Sequence, residues 1–293
     1  MPNAVNHKIQ TMDSVESILK KPVNVLVCFT DAEIGRTLSR MAVYFANSRS
    51  EKSSATFLHL IDNDEHENQT QLNDFIDIID KSKLTIRYFT REYDDYVSEI
   101  LKVSKEQNSN LLLVGIGNNI LTPQIFQRYN KLKSDPTNSD AYILEQFTEK
   151  ESKLLNDITL LLDVNPISIG LFIYNNLKRI ETIFVPILST NDIHAIPFTT
   201  IRFAQKENVE MMVWDAIGAI ESNPKMQKLY QTYVKKAEER MYLWDDNKKI
   251  DKDFIMTQDL CIIGIDGWNK LIGTSLPWIE VLPSTLIIKD KTT

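Results

Sequence analysis

The stretch Asp259–Ser275 reads DLCIIGIDGWNKLIGTS, an apolar run that opens into a segment with three glycines. An earlier stretch, Asn110–Asn119, has the same form and reads NLLLVGIGNN. A short apolar run bounded by glycine is typical of a strand that is buried on both faces of a parallel sheet. Glycine after such a strand lets the backbone turn or approach a ligand closely. The two stretches therefore predict two buried strands, each ending in a candidate binding loop.

Composition restricts the classes of function. The chain has 293 residues, 43% of them hydrophobic and 25% charged, which is ordinary for a globular protein and long enough for two cores. A formal charge of −7 without a Lys/Arg cluster argues against a nucleic-acid-binding surface. No apolar run approaches the roughly 18 to 20 residues of a membrane span, and the N-terminus lacks the apolar segment of a signal peptide. Cys28 and Cys261 lie in apolar runs, so we expect buried thiols in a cytoplasmic protein without direct membrane insertion.

Strands alternate with amphipathic helices on both sides of the two glycine stretches. In the first half we expect strands at Val23–Phe29, Ala55–Ile61, Leu84–Phe89, Asn110–Gly115 and Ile167–Tyr174. The helices between them are expected at Ala32–Asn47, Leu72–Ile79, Tyr93–Gln107 and Thr148–Leu162. In the second half we expect strands at Glu181–Leu188, Val209–Ala216, Asp259–Ile265 and Pro283–Lys289, with helices at Asp192–Glu207 and Pro224–Met241. A short strand and a short helix fit near Asp253–Met256, and a loop followed by a helix fits Trp268–Glu280. This alternation indicates βαβ units and a parallel sheet.

The same order of elements occurs twice, which indicates an internal duplication. We predict a polar leader over residues 1–21 and two domains, 22–175 and 176–293, each a doubly wound, five-stranded parallel sheet. One segment of the first half breaks the alternation. Residues Asn118–Asp140 contain Pro123 and Pro136 and are longer than most connections, so we expect an irregular insertion or a mobile lid.

The chain resembles tandem universal stress protein-like domains, which share the fold of adenine nucleotide alpha hydrolases. More specifically, it is similar to the cytoplasmic C-terminal tail of bacterial monovalent cation:proton (sodium/proton) antiporters of the Bacteroidetes type. The resemblance covers about residues 22–289 and is carried by the segments Thr90–Asp94, Ser98–Glu106, Leu112–Gly115, Leu154–Asn156 and Leu177–Ile180, and by Pro186. Such a tail follows a transmembrane antiporter domain, so the chain is expected to be either an excised tail or a free-standing relative. The resemblance implies a stress-response or regulatory role, in the cytoplasm or tethered to the inner face of the cell membrane.

The resemblance also implies a nucleotide site. Nucleotide-binding members of the family hold ATP or AMP with a Gly-x-x-Gly loop followed by Gly-Ser or Gly-Thr, whose N–H groups and hydroxyl face the phosphates. In the second half, the residues that match are Gly264, Gly267, Gly273, Thr274 and Ser275, although the gap between Gly267 and Gly273 is shorter than the family pattern.

In the first half only Gly115 and Gly117 match, and Asp31 takes the place of the family's adenine-side aspartate. Ser189 and Asp192 stand off register at the corresponding place in the second half. The implied ligands are ATP, AMP or a cyclic dinucleotide.

Structural roles compete with each of these assignments. Asp31 is also placed to cap a helix, and Gly264 and Gly267 also suit turns. His59 lies on an apolar strand, as a core histidine does. No His/Cys spacing suits a metal, and the run Asp62–Glu67 lacks the ligand spacing of a calcium loop.

No catalytic motif is present: the sequence has neither a Gly-x-Ser-x-Gly elbow nor a Gly-Lys-Thr phosphate loop. We therefore expect no enzyme, and our leading hypothesis is a non-catalytic regulatory module of a cation:proton antiporter. Its expected partners are an antiporter domain, in the same or another chain, and a second copy in a homodimer. The alternatives are a free-standing tandem universal stress protein that binds ATP or AMP and, since fold does not fix function, an enzyme of the adenine-nucleotide hydrolase kind.

Overall fold

The computed structural model describes residues 21–46, 53–62, 84–117, 122–193, 195–204, 208–245 and 249–291. The strands are β1 (Asn24–Phe29), β2 (Ser54–Asp62), β3 (Thr85–Tyr93), β4 (Leu111–Gly117), β5 (Ser168–Tyr174), β6 (Thr182–Ile187), β7 (Glu210–Asp215), β8 (Met241–Leu243), β9 (Leu260–Gly264) and β10 (Ser284–Lys289). The helices are α1 (Ala32–Ala46), α2 (Tyr96–Glu106), α3 (Pro123–Lys133), α4 (Asp140–Glu145), α5 (Glu149–Val164), α6 (Ala195–Ala204), α7 (Ala219–Ser222), α8 (Pro224–Lys236), α9 (Lys252–Met256) and α10 (Ile265–Ile272). The predicted leader up to residue 20, the predicted helix Leu72–Ile79 and most of the acidic run Asp62–Glu67 lie outside the described residues.

The strands form one mostly parallel sheet in the order β3-β2-β1-β4-β5-β10-β9-β6-β7-β8. Every neighbouring pair of described strands is parallel except β5 and β10, which are antiparallel. The parallel pairing of β1 with β4 confirms the prediction for the first glycine stretch.

The expectation of two separate five-stranded sheets is not met. Counted inward from either outer edge, the strands follow the same order: third, second, first, fourth, fifth. The two fifth strands then pair with each other, with Phe172 opposite Leu286. Left alone, β5 and β10 would each be a long apolar edge with unpaired backbone groups, and pairing satisfies both edges at once. The proposed division into domains at residue 175 stays a prediction.

Helices cover both faces of the sheet, and the alternate residues of β1 show this because they point into two different cores. Val25, Val27 and Phe29 face a core formed with α1, α6, α7 and α8. Leu26 and Cys28 face the opposite core, formed with α2, α3, α5, α9 and α10. Successive strand residues point to opposite faces, so an apolar run without polar interruptions requires a layer of helices on each side.

The prediction of irregular structure over Asn118–Asp140 is wrong for Pro123–Lys133, which is 11 of its 23 residues. Residues Pro123–Lys133 form helix α3, and Thr122 caps it by accepting a hydrogen bond from Ile125 N–H at 3.4 Å. We took Pro123 as a sign of irregular structure, but proline is favourable at the first position of a helix, where its missing N–H is not needed.

Candidate functional site

The second half has its topological switch point between β6 and β9. The chain leaves β6 for α6 on one face of the sheet and leaves β9 for α10 on the other face. In open α/β sheets, the crevice between two such diverging connections is the usual place for a ligand. The residues that meet there are Asp192, after β6, and Gly264, at the end of β9.

No loop separates β9 from the following helix. Gly264 is the last residue of β9 and also the N-cap of α10, which runs from Ile265 to Ile272. Gly267 is the third residue of that helix. The apolar face of the helix is formed by Trp268, Leu271 and Ile272, which are buried. The expected loop over Trp268–Glu280 is therefore wrong at its start, because apolar residues at helical spacing follow Gly267 at once.

The carboxylate of Asp192 occupies the N-terminus of α10. Its Oδ2 accepts a hydrogen bond from Gly267 N–H at 2.5 Å, and its Oδ1 accepts one from Asp266 N–H at 3.3 Å. The residue is only 3% exposed. A helix N-terminus carries free N–H groups and partial positive charge, which is the arrangement that binds anionic ligands in other proteins. Here one of the chain's own side chains supplies the anion.

The glycines of this stretch make room for that carboxylate. A Cβ atom on Gly264 would lie 2.1 Å from Asp192 Cγ, and one on Gly267 would lie 2.8 Å from Asp192 Oδ2. Both distances are shorter than van der Waals contact. The close approach that we predicted at these two glycines is thus made by an aspartate of the protein.

Further contacts hold the segment after β6 against α10. Asn191 Nδ2 donates to Asp266 Oδ2 at 2.6 Å, and Lys270 Nζ donates to the carbonyl of Leu188 at 3.0 Å. Ser189, which is 3% exposed, accepts a hydrogen bond from Asn191 N–H at 3.4 Å. Contacts from Leu188 and Asn191 thus hold the residues that precede Asp192 against α10.

Burial raises the pKa of the Asp192 carboxyl above its ordinary value. The hydrogen bonds from Gly267 and Asp266 N–H groups lower the pKa, as does Lys270, whereas the neighbouring charge of Asp266 raises it. Loss of water around the charged carboxylate is the largest of these effects, so the net shift of the Asp192 pKa is upward.

Gly273, Thr274 and Ser275 lie at the opposite end of α10. At about 1.5 Å of rise per residue, Gly267 and Gly273 are roughly 9 Å apart along the helix axis. The Thr274 hydroxyl donates to the carbonyl of Leu271 at 2.7 Å, so it already has a partner. The structure does not bring these residues together with Gly264 and Gly267 at one phosphate-sized site.

In the first half, the predicted residues have packing and capping contacts. Asp31 Oδ1 accepts hydrogen bonds from Glu33 N–H and Ile34 N–H, each at 2.9 Å, and so caps α1. A Cβ atom on Gly115 would lie 2.3 Å from Ile34 Cγ2, so this glycine lets α1 pack directly on β4. The side chain of Ile34 thus lies where a ligand would approach Gly115. Gly117 is less crowded, since a Cβ atom there would lie 3.8 Å from Ile34 Cδ1.

His59 has a core position. It is 1% exposed, stacks on Phe29 with ring centroids 5.3 Å apart, and places Nε2 at 3.4 Å from the carbonyl oxygen of Thr30. The structural interpretation of this histidine is thereby confirmed.

Sequence reasoning noted Asp192 but did not recognise its role. Asn191, Asp266 and Lys270 were missed altogether. The available signal was the duplicated strand order, which places the carboxyl end of β6 beside that of β9. Asp192, which follows β6, is then expected beside the first turn of α10, which contains Gly267.

No family model matches the chain, and no curated protein matches it in sequence. Among solved structures, similarity extends to a protein of unknown function from Pseudomonas aeruginosa, with 12% identity, 94% of this chain and 95% of that chain covered, and a TM-score of 0.48. It extends to the cytoplasmic domain of a prokaryotic cation chloride cotransporter, with 11% identity, coverage of 92% and 96%, and a TM-score of 0.49. A universal stress protein from Archaeoglobus fulgidus has 10% identity, coverage of 93% and 98%, and a TM-score of 0.44.

Within the described ranges, none of the helices is both long enough and apolar enough to cross a membrane.

Proposed function

We propose that the chain is a non-catalytic, cytoplasmic regulatory module of a cation:proton antiporter and that it acts through protein contacts. The observation that carries this proposal is the position of the Asp192 carboxylate, which takes up the N–H groups that a nucleotide phosphate would need. The choice of an antiporter as the partner rests on the sequence resemblance of residues 22–289 to the cytoplasmic tails of such antiporters.

A nucleotide phosphate and the Asp192 carboxylate would compete for the same N–H groups of α10. A phosphate approaching α10 would have to displace a carboxylate that is tethered nearby and therefore has a high effective concentration. If Asp192 stayed in place, two anions would share one small site at a cost in repulsion. Both effects weigh against a free-standing nucleotide-binding protein and favour a module that keeps its crevice filled with its own side chain.

The cysteines support a non-catalytic role. Cys28 and Cys261 are fully buried, and burial raises the pKa of both thiols. A nucleophilic cysteine needs an accessible thiolate, which burial in apolar surroundings disfavours.

The direct test measures transport. In cells that encode the chain, residues 22–289 would be deleted, and sodium- or potassium-driven collapse of a pH gradient would be followed in everted membrane vesicles. We expect exchange to persist but its dependence on cation concentration or pH to shift, and restoration of the chain to restore the original dependence. Identical exchange with and without the chain would refute the proposal.

A second measurement addresses the nucleotide alternative. In calorimetric titration of the wild type with ATP, AMP and cyclic dinucleotides, any heat of binding should be unchanged by substitution of Gly267. Asp192→Gly removes the internal anion and should create weak phosphate binding at α10. Tight ATP binding by the wild type that disappears on substitution of Gly267 would favour the nucleotide-binding alternative.

A further inference from the structure

A cleft of about 300 Å³ lies where strands β1–β5 join strands β6–β10, which we call the two groups of strands. Its described lining includes neither Asp192 nor Gly264 of the switch point between β6 and β9. One wall is the second half of α1, and the other is the segment that links β5 to β6. The junction cleft, as we call it, is lined by Thr37, Arg40, Tyr44, Leu177, Lys178, Arg179, Ile180, Glu181 and Asn208.

The lining carries positive charge in an acidic protein. Of the described residues that line the cleft, Arg40, Lys178 and Arg179 are exposed cations, and Glu181 is the one carboxylate. Three cations and one carboxylate leave a formal charge of +2, whereas the whole chain carries −7. Glu181 is paired with Arg179 at 3.1 Å, an exposed ion pair of the kind that contributes little and exchanges readily with other anions.

The cationic groups are held in position by backbone contacts. Arg40 Nη1 donates to the carbonyl of Lys178 at 3.2 Å, which fixes the guanidinium across the cleft. This contact uses one of the five N–H donors of arginine. Leu177 is buried next to Lys178, so the linking segment is anchored to the core.

Each wall also carries an apolar or aromatic side chain that suits the organic part of a ligand. The ring of Tyr44 is half-buried and packs edge-on against Phe203, with ring centroids 5.2 Å apart. Ile180 adds partly buried apolar surface. A cavity of this size lies at the lower end of the range for small-molecule sites, which combine apolar walls with a few polar groups.

From this geometry we propose that the junction cleft binds the phosphate group of a small organic phosphate, either a free metabolite or a lipid headgroup. Arginine is the side chain best matched to phosphate because its planar fork can donate two parallel hydrogen bonds. Lys178 and Arg179 add charge from the facing wall. A phosphate bound there bridges α1 to the segment between β5 and β6 and so connects the two groups of strands.

The test compares variants of the full chain. Lys178→Gln and Arg40→Gln each remove one cleft cation, and Lys228→Gln removes an exposed cation from α8, outside the cleft. AMP and inorganic phosphate serve as soluble probes in calorimetry. Vesicles of phosphatidylcholine with and without phosphatidic acid serve as the lipid probe in cosedimentation.

We expect binding of at least one probe, weakened about tenfold by each cleft variant, as loss of a charge-assisted hydrogen bond predicts, and unchanged in Lys228→Gln. Binding of AMP or phosphate identifies a soluble ligand, and binding confined to phosphatidic acid vesicles identifies a lipid headgroup. No binding of any probe, or binding equally strong in the cleft variants, would overturn the proposal.

Arg40 also makes a structural contact, so Lys178→Gln decides the outcome if Arg40→Gln fails to fold. Lys178 is exposed, and its side chain makes no hydrogen bond or ion pair within the described residues. The inference does not rest on the proposed regulatory function. A cleft variant that loses phosphate binding but regulates transport normally would separate phosphate binding from the regulatory function. Phosphate binding by a chain that does not affect transport would separate them equally.

Discussion

Asp192 and Gly267 are 75 residues apart in the chain, yet the carboxylate of the first accepts a hydrogen bond from the backbone N–H of the second at 2.5 Å. This bond joins the end of β6 to the first turn of α10. It satisfies a helix N–H that would otherwise need water or a ligand. The same side chain therefore stabilises the fold and fills the candidate site.

Replacing Asp192 with alanine should lower the free energy of unfolding by about 1–2 kcal/mol, as removal of a helix-capping acceptor usually does. Asp192→Asn keeps one acceptor oxygen and should lose less. Urea denaturation of the wild type and both variants measures the difference. Equal stability of all three proteins would mean that the hydrogen bonds to Gly267 and Asp266 do no more than offset the cost of burying the charge.

The raised pKa of Asp192 predicts how stability depends on pH. In the unfolded chain an aspartate has a pKa of about 3.9, so between that value and the raised native pKa the folded state binds more protons than the unfolded state. The contribution of Asp192 to stability is therefore fully present below the unfolded pKa and is lost as the pH rises through the native pKa.

Asp192→Asn lacks this titration and serves as the reference. The free energy of unfolding of the wild type minus that of Asp192→Asn should fall as the pH is raised from about 3.5 and then level off. Urea denaturation across that range, on both proteins, isolates the group. A difference that grows with pH would show that hydrogen bonding outweighs burial.

Gly264→Ala should destabilise the protein by roughly 1–3 kcal/mol through overpacking, because the new methyl group would lie 2.1 Å from Asp192 Cγ. The backbone itself is unstrained, since φ at Gly264 is −76°. Gly273→Ala is the matched control: φ is −74° and the nearest atom, the carbonyl oxygen of Asn269, is 3.3 Å from the methyl position. It should change stability much less in thermal or urea unfolding.

A double variant separates the clash from other effects. Asp192→Gly removes the atoms that the alanine methyl group meets, so adding Gly264→Ala to it should cost less than in the wild type. The coupling between neighbouring sites is typically about 0.5–3 kcal/mol. Additive costs would indicate that Gly264 matters for another reason.

Arg202 connects the two groups of strands within the core. It is 2% exposed and donates from Nη1 to the carbonyl of Phe45, at the end of α1, at 2.7 Å. Burial lowers the pKa of its guanidinium to about 10. Arg202→Ala leaves a cavity and weakens the bonding of that carbonyl, and should cost roughly 3 kcal/mol.

Arg202→Met fills most of the space without the buried charge and should cost clearly less. Denaturant unfolding of both variants distinguishes packing from hydrogen bonding. If methionine is as harmful as alanine, the contacts of the guanidinium outweigh its volume.

Apolar runs predicted the central strands because burial on both faces leaves a strong signal. The apolar residues of β1, β4 and β9 are buried, as expected, whereas Asn24 and Gly115 are partly exposed. The antiparallel pairing of β5 with β10 left no such signal. Phe172 and Leu286 would have the same apolar character beside any neighbour, so periodicity reveals that a strand is covered but not which strand lies next to it.

The candidate site was predicted from glycine, and glycine alone was misleading. Gly264 and Gly273 both have negative φ, so neither needs the special conformations that glycine permits. Their neighbours held the better evidence. Trp268, Leu271 and Ile272 follow helical spacing, and Thr122 with Pro123 forms a recognisable helix start.

The contact between Phe126 and Trp268 predicts the behaviour of α3, which we had expected to be mobile. The two rings meet edge-to-face with centroids 5.8 Å apart, and Asn130 Nδ2 donates to Asn269 Oδ1 at 3.1 Å. These contacts fasten a helix of the first half to α10 of the second. Amide hydrogens in the middle of α3 should therefore exchange measurably more slowly than an unstructured segment would.

Phe126→Ala should speed amide exchange within α3 while leaving the central strand β1 unchanged, since the substitution removes the main buried side chain of that helix. Lys131→Ala, at an exposed position of the same helix, is the control and should leave the exchange pattern as in the wild type. Hydrogen–deuterium exchange read by mass spectrometry reports both regions in one experiment. Rapid exchange of α3 in the wild type would restore the original expectation of a mobile segment. Equally slow exchange in Phe126→Ala would show that polar contacts such as that of Asn130 suffice to hold the helix on α10.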